Sequence, residues 1–309
     1  MNRAPVWLIA GPTASGKTAL AIHAARRLGG EVVNADSMQI YADIPVLSAA
    51  PRADEQVGIP HHLFGVLDAS QRASVGWWAR SAMAVIEEIR SRGNTPVVVG
   101  GTGLYFNALT EGLAEVPDIP AEAAAEAGAI AGQGIAILRA EAERHDPEGA
   151  SRVLGDDIQR LRRILEVGLA TGRALSSFHG DTVPLLAAGA WRGVVIEPDR
   201  ETLYARIDAR FEHMLASGAL EEVEALAKRG LDPELPAMKA LGVPQLIALR
   251  NGEMTRAEAE EYAKRESRRY AKRQFTWLRN RCADWPRIDS LDPATARVQF
   301  DALLEGETE

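Results

Sequence analysis

Val6-Trp7-Leu8-Ile9-Ala10-Gly11-Pro12-Thr13-Ala14-Ser15-Gly16-Lys17-Thr18 is the stretch that decides the fold. Residues 6–10 are apolar and predict a buried strand, and a helical pattern runs over residues 16–28. Between them, residues 11–18 match G-x-x-x-x-G-K-[ST] in the strand-to-helix context the pattern requires. Backbone N–H groups of such a turn and of the helix N-terminus surround an anion. Lys17 adds a point charge, and the Thr18 hydroxyl is placed to hold Mg²⁺. Gly11, Pro12, Thr13, Ala14, Ser15, Gly16, Lys17 and Thr18 therefore form a di- or triphosphate site, without saying which compound fills it.

Further along, residues 31–35 predict a second strand, residues 74–92 a helix, and Pro96-Val97-Val98-Val99 a strand ending in Gly100-Gly101. Another strand over residues 193–197 precedes a helix beginning near Arg200. Strands alternating with helices predict an α/β fold, a P-loop NTPase-like parallel sheet core flanked by helices. Residues 115–190 break the alternation. They lack strand-like runs, carry seven alanines between 121 and 131, and predict amphipathic helices over 134–145 and 156–172. The expected organisation is a first core segment, 1–114, an all-helical insertion domain, 115–190, and a second core segment, 191–309, with basic C-terminal helices.

A motor or switch ATPase also needs an acidic residue closing a later apolar strand. Here that strand closes in glycines, whereas Asp36 closes the strand at 31–35 on the edge where the phosphate loop lies. An acid beside the transferred group suggests a general base, against the plainer role of a turn or capping aspartate. His61-His62 reads as a loop or packing pair rather than a metal site, and Trp77-Trp78 as one core and one rim residue.

The chain of 309 residues carries 35 Lys+Arg and 43 Asp+Glu, a net charge of −8 that taken alone argues against nucleic acid. Between 264 and 281, however, eight cations stand against Glu266 alone, a net +7 that leaves −15 for the remainder. The pairs Lys264/Arg265, Arg268/Arg269 and Lys272/Arg273 recur every four residues, which predicts one cationic helix stripe with a polyanionic partner. The lone Cys282 closes no internal disulfide and the first apolar run is too short for a leader or a span. These features predict a cytoplasmic protein with no membrane partner.

Six ordered blocks resemble the tRNA dimethylallyltransferase (tRNA isopentenyltransferase) family. They are residues 11–18, Asn34-Ala-Asp-Ser-Met-Gln-Ile-Tyr41, Pro60-His-His-Leu63, Val99-Gly-Gly-Thr-Gly-Leu-Tyr105, Asp157-Ile-Gln-Arg-Leu-Arg-Arg163 with Glu166-Val167, and Ala271-Lys-Arg-Gln-Phe-Thr-Trp277. The resemblance covers about residues 5 to 285. It implies transfer of a dimethylallyl group from dimethylallyl diphosphate to N6 of adenosine 37 in the anticodon stem-loop of tRNA, with release of diphosphate and Mg²⁺ as cofactor. By the same resemblance Asp36, Thr102 and Lys17 are catalytic. Asp36, Ser37, Met38, Gln39, Gln159, Arg160, Leu161, Arg162, Arg163, Lys272, Arg273 and Gln274 contact tRNA, and a single chain is the expected working form. Three places depart from the family's pattern: residues 118–128 contain no Arg, with Ala123 to Ala125 near its expected place, Ala50 precedes Pro51, and the segment at 242–245 reads Gly-Val-Pro-Gln. Two alternatives share the loop, a small-molecule or nucleoside kinase and an inert RNA-binding protein. Neither explains the blocks and the basic segment together.

Overall fold

A computed structural model describes residues 4–114, 116–178, 180 and 182–306. The termini, 1–3 and 307–309, and residue 115, read above as the insertion's first residue, lie outside the described residues.

The chain forms two compact units, Met1–Thr110 with Leu186–Glu309, and Glu111–Leu185. In the first unit, β1 (Val6–Ala10) leads to α1 (Lys17–Leu28) and β2 (Gly30–Asn34). Two single-turn helices, α2 (Pro45–Ser48) and α3 (Ala53–Gln56), and a two-residue strand, β3 (His61–His62), come next, then α4 (Val75–Ser91), β4 (Thr95–Gly100) and α5 (Gly103–Thr110). The second unit holds α6 (Ala121–Gly132), α7 (Ile135–His145), α8 (Pro147–Ser151) and α9 (Ile158–Thr171). The first unit resumes with β5 (Trp191–Ile196), α10 (Arg200–Ala216), α11 (Ala219–Lys228), α12 (Val243–Arg250), α13 (Arg256–Arg281), β6 (Arg287–Ile288) and α14 (Pro293–Gly306).

Among the described residues the strands form one sheet in the order β3-β2-β4-β1-β5-β6. Every pairing is parallel, with Leu8 of β1 opposite Val98 on one side and Gly193 on the other. β-branched runs at Val32-Val33, Val97-Val98-Val99 and Val194-Val195-Ile196 suit strands covered on both faces, and all eight residues are buried. One face packs Trp7, Ile9, Val97 and Ile196 against Leu20 and Ala24 of α1 and Phe300 of α14. Trp7 and Phe300 meet edge to face at 5.3 Å, the favoured arrangement for two ring quadrupoles.

The core reading stands, with differences at the seams. The insertion runs from 111 to 185 rather than 115 to 190, because the Leu186 N–H donates to the Leu109 carbonyl and draws that residue into the first unit. β3 and β6 were not expected, since two residues are too few for a periodic signal. His61-His62 makes up β3: His62 Nε2 lies 2.6 Å from the buried Glu31 carboxylate, a packing role. Trp78 is buried while Trp77 lies at the rim. The second unit has its own small core of Ala127, Leu138, Ala142, Leu161, Ile164 and Leu165.

Candidate active site at the carboxyl edge of the sheet

Because all strands are parallel, the loops after β1, β2, β4 and β5 emerge on one edge, where α/β folds place their ligands. The loop after β1 is held in shape by its backbone. Gly11 N–H donates to Gly100 O at 3.2 Å and Ser15 N–H to Pro12 O at 3.3 Å. Gly16 sits at φ +84°, open to glycine at no steric cost, and Ala14 is held at φ +63°. Gly16 caps α1 without a side-chain bond, and the first turn has no acid. The helix therefore presents unfilled N–H groups and the positive end of its dipole to an incoming anion.

Two cations from different elements converge on this cradle. Lys17 is only 7% exposed, with Nζ at 3.4 Å from Pro12 O. Burial pulls its pKa from 10.5 down to about 8, opposed by the charge of Asp36 and assisted by that of Arg210. Arg210, on α10, donates to the Thr13 hydroxyl. Burial brings its pKa to about 10, with Asp36 opposing and Arg206 assisting. Arg206 lies one helical turn earlier and donates to Leu291 O at 3.1 Å. These groups hold positive charge in a place that penalises it, an arrangement an anion would relieve.

Across the edge, the loops after β2 and β4 are tied to each other. Asn34 accepts from Asp36 N–H at 2.8 Å and donates to Asp36 O and Leu63 O, which fixes the turn. One Asp36 oxygen accepts from Met38 N–H at 3.0 Å, so the turn role and a chemical role coexist in one side chain. Thr102 N–H donates to Ala35 O, and Thr102 Oγ1 accepts from Ser37 N–H at 3.0 Å. Behind them Tyr105 stacks on Trp78 at 4.1 Å, and Trp78 Nε1 donates to Asn34 O. Burial raises the hydroxyl pKa of Tyr105 and of Tyr270, and the Asp36 charge adds to both. Asp36 thus acts electrostatically on Lys17 and Arg210 on one side and on two tyrosines on the other.

Lys17, Thr18, Asp36, Ser37, Met38 and Thr102 are brought to one edge. Three residues expected to touch tRNA face inward instead. Gln39 is 7% exposed and donates both amide hydrogens to Ser48 O and Ala49 O. Gln274, 6% exposed, accepts from Thr13 N–H and donates to Gly101 O. Leu161 belongs to the core of the second unit, whereas Gln159, Arg160 and Arg163 on the same helix are exposed and Arg162 is half-buried against Glu166. Leu161 and Gln274 share helices with exposed cations, and the phase of each helix decides which side they take.

The basic helix also divides. Lys264 pairs with Glu212 at 2.6 Å and Arg268 with Asp208 at 2.6 Å, so the 264/268 side is a seam against α10. Arg265, Arg269, Lys272 and Arg273 are exposed. Arg265 lies 4.7 Å over Tyr262 and Arg273 5.5 Å over Tyr270. The +7 count overstates the outward field, because acids distant in sequence pair with Lys264, Arg268 and Arg279.

Sequence reasoning missed Arg206 and Arg210. Their four-residue spacing on a helix was a usable signal, but nothing local says which side meets the loop.

Magnesium takes oxygen ligands and keeps several waters when phosphates supply most of the charge. Among the described residues no group of three or more His, Cys, Asp or Glu side chains could hold a metal. Thr18, half-buried in the first turn of α1, supplies one hydroxyl at the right edge. That donor set fits a cation carried mainly by a diphosphate.

Among known proteins, the model of the IPP transferase family matches residues 39–281, and that of isopentenyl transferase residues 4–61. A tRNA dimethylallyltransferase of Maricaulis maris is 60% identical over 302 residues, 97% of this chain and 98% of that one. The crystal structure of a full-length tRNA isopentenylpyrophosphate transferase from Bacillus halodurans is similar at 32% identity and TM-score 0.69, covering 98% and 97% of the two chains. A eukaryotic dimethylallyltransferase acting on tRNA is similar at 27% identity and TM-score 0.78, over 94% of this chain and 75% of that one. With a phosphate cradle and an acid-bearing turn on one sheet edge, and with relatives matched along nearly its full length, the chain belongs to the IPP transferase family, among the tRNA dimethylallyltransferases.

Proposed function

We propose that this enzyme transfers the dimethylallyl group of dimethylallyl diphosphate to N6 of adenosine 37 in tRNA, beside the anticodon, and releases diphosphate. The observation that carries the reading is the pairing, on one edge, of a cationic cradle at Thr13, Lys17 and Arg210 with the Asp36–Thr102 turn. The cradle suits the diphosphate of the donor and the turn suits the purine acceptor.

The lone pair of an adenine N6 amine is delocalised into its ring, so the transfer leans on departure of the leaving group. N6 forms a bond to the allylic carbon, the carbon–oxygen bond breaks, and its electron pair leaves with the diphosphate. Loop amides, Lys17 and Arg210 neutralise that charge where they already stand, which avoids reorganisation at the moment of reaction. Bound at Thr18, Mg²⁺ would add Lewis-acid stabilisation of the phosphate oxygens. The Asp36 carboxylate takes the proton from N6, and Thr102 orients the base. Reaching N6 requires the base to leave its loop stack, at a cost of about a few kcal/mol. Contacts to the RNA backbone from Lys272, Arg273 and the exposed cations of α9 supply binding energy for that step.

Incubation with labelled dimethylallyl diphosphate and unmodified tRNA tests the reading. Prenylated tRNA and one equivalent of diphosphate are expected. ATP-dependent phosphorylation of a metabolite, with no prenylated tRNA, would refute it. A single chain in the cytoplasm is the proposed working form, and among the described residues no helix is long and apolar enough to cross a membrane.

A further inference from the structure

We propose that Gln274 is a positioning residue for the transfer, setting the spacing between the diphosphate cradle and the loop that carries Thr102. The inference rests on the function proposed above. The Gln274 carbonyl accepts from Thr13 N–H at 2.9 Å, inside the cradle. Its amide nitrogen donates to Gly101 O at 2.9 Å, one residue before Thr102. The donor-side loop and the acceptor-side loop are thus held by the two ends of one planar group whose ends differ in hydrogen-bonding sense.

The seat is built for this side chain. A Cβ on Gly101 would fall 2.3 Å from Gln274 Nε2, so residue 101 has no room for a side chain while the glutamine is there. On either side of Gln274, Ala271 and Phe275 pack in a cluster with Ala14 of the cradle and with Leu203 and Ile207 of α10. The helix is therefore clamped to the cradle by apolar contact as well as by the amide. A glutamate at 274 could still accept from Thr13 but could not donate to Gly101. A methionine of similar length could do neither.

Alignment is what such a brace controls. A displacement of about 1 Å between reacting groups can cost roughly 100-fold in rate. An allylic diphosphate also has a competing fate. Water can add to the allylic carbon as the carbon–oxygen bond breaks, giving dimethylallyl alcohol and diphosphate, with the proton going to solvent. A cradle that ionises the donor while N6 is out of line sends more of the donor along that path.

The test compares wild type with Gln274→Met and Gln274→Glu in single turnover, with dimethylallyl diphosphate and tRNA both saturating, after circular dichroism shows which variants fold. Transfer should fall roughly 100-fold. The share of donor lost to the alcohol should rise, and tRNA affinity should stay within about threefold, because the side chain is buried. If one variant fails to fold, the other decides. Folded variants that match wild type in rate and product partition overturn the proposal. So does a loss of tRNA affinity with partition unchanged, which would make Gln274 an RNA contact. Failure of the wild type itself to prenylate tRNA refutes the proposed function and, separately from any variant, removes the ground for this role.

Discussion

Lys17 lies where its charge serves a ligand at the expense of the fold. Its pKa is held at about 8 in the free protein against an ordinary 10.5, with burial the largest cause. A lowering of that size corresponds to about 3 kcal/mol at neutral pH, and with Lys17 buried little solvent screening reduces it. The unfolded chain binds this proton more tightly than the folded one. Stability from this group therefore rises with pH between about 8 and 10.5, and is lowest below 8. Replacing Lys17 with Met removes the penalty while keeping the apolar stem. The Lys17→Met variant should then be more stable than wild type by about 3 kcal/mol at pH 7, with about 2 kcal/mol of the difference gone by about pH 9.5. Urea unfolding of both proteins across that range measures it, because titrating groups that do not interact with Lys17 cancel in the difference. The same variant should lose donor binding. A Met variant less stable than wild type at pH 7, or a difference that does not change with pH, would refute the account of Lys17 as a strained, ligand-awaiting cation.

Asp36→Asn keeps an oxygen to accept from Met38 N–H and so should preserve the turn. Single-turnover transfer should drop about 10²- to 10⁴-fold with donor and tRNA affinities near those of wild type. Removing Lys272 or Arg273 should lower the slope of log K against log salt for tRNA by about 1 each. Removing Lys264, which pairs with Glu212 on α10, should instead lower the melting temperature and leave that slope unchanged in a filter-binding titration. At the opposite edge of the sheet, burial raises the pKa of Glu31, but hydrogen bonds from Arg92, Asn94 and His62 outweigh it and hold the carboxyl at about 2. Its stabilisation is present above the ordinary 4.5 and is lost as pH falls towards 2. Glu31→Gln should flatten the acid-unfolding curve in that window, followed by circular dichroism.

Legibility followed the range of the signal. The cradle at residues 11–18 could be read outright, because one local pattern of glycines, a lysine and a threonine specifies both the backbone path and its ligand class. Asp36 was legible because strand ends in a parallel sheet share an edge, and Thr102 through the family resemblance. Arg210 was not, since its value comes from a contact with Thr13 across nearly two hundred residues of chain. The basic segment was half legible. Its charges are plain in the sequence, but the acids of α10 that neutralise Lys264 and Arg268 are adjacent only after folding. Gln39, Leu161 and Gln274 carry a tRNA contact by the resemblance, yet their burial is set by packing that no local motif records.

Composition, periodicity and the spacing of glycines determined by themselves that this chain builds a parallel α/β core around an anion cradle, with a helical insertion and a basic helix near its end. These are local properties, set by backbone sterics and by which residues can be buried. Only the tertiary structure decided which cations face the cradle, which are matched by acids and which amide bridges two loops. Those outcomes depend on the phase of each helix and on contacts between residues far apart in sequence, where burial rather than identity sets what a side chain does.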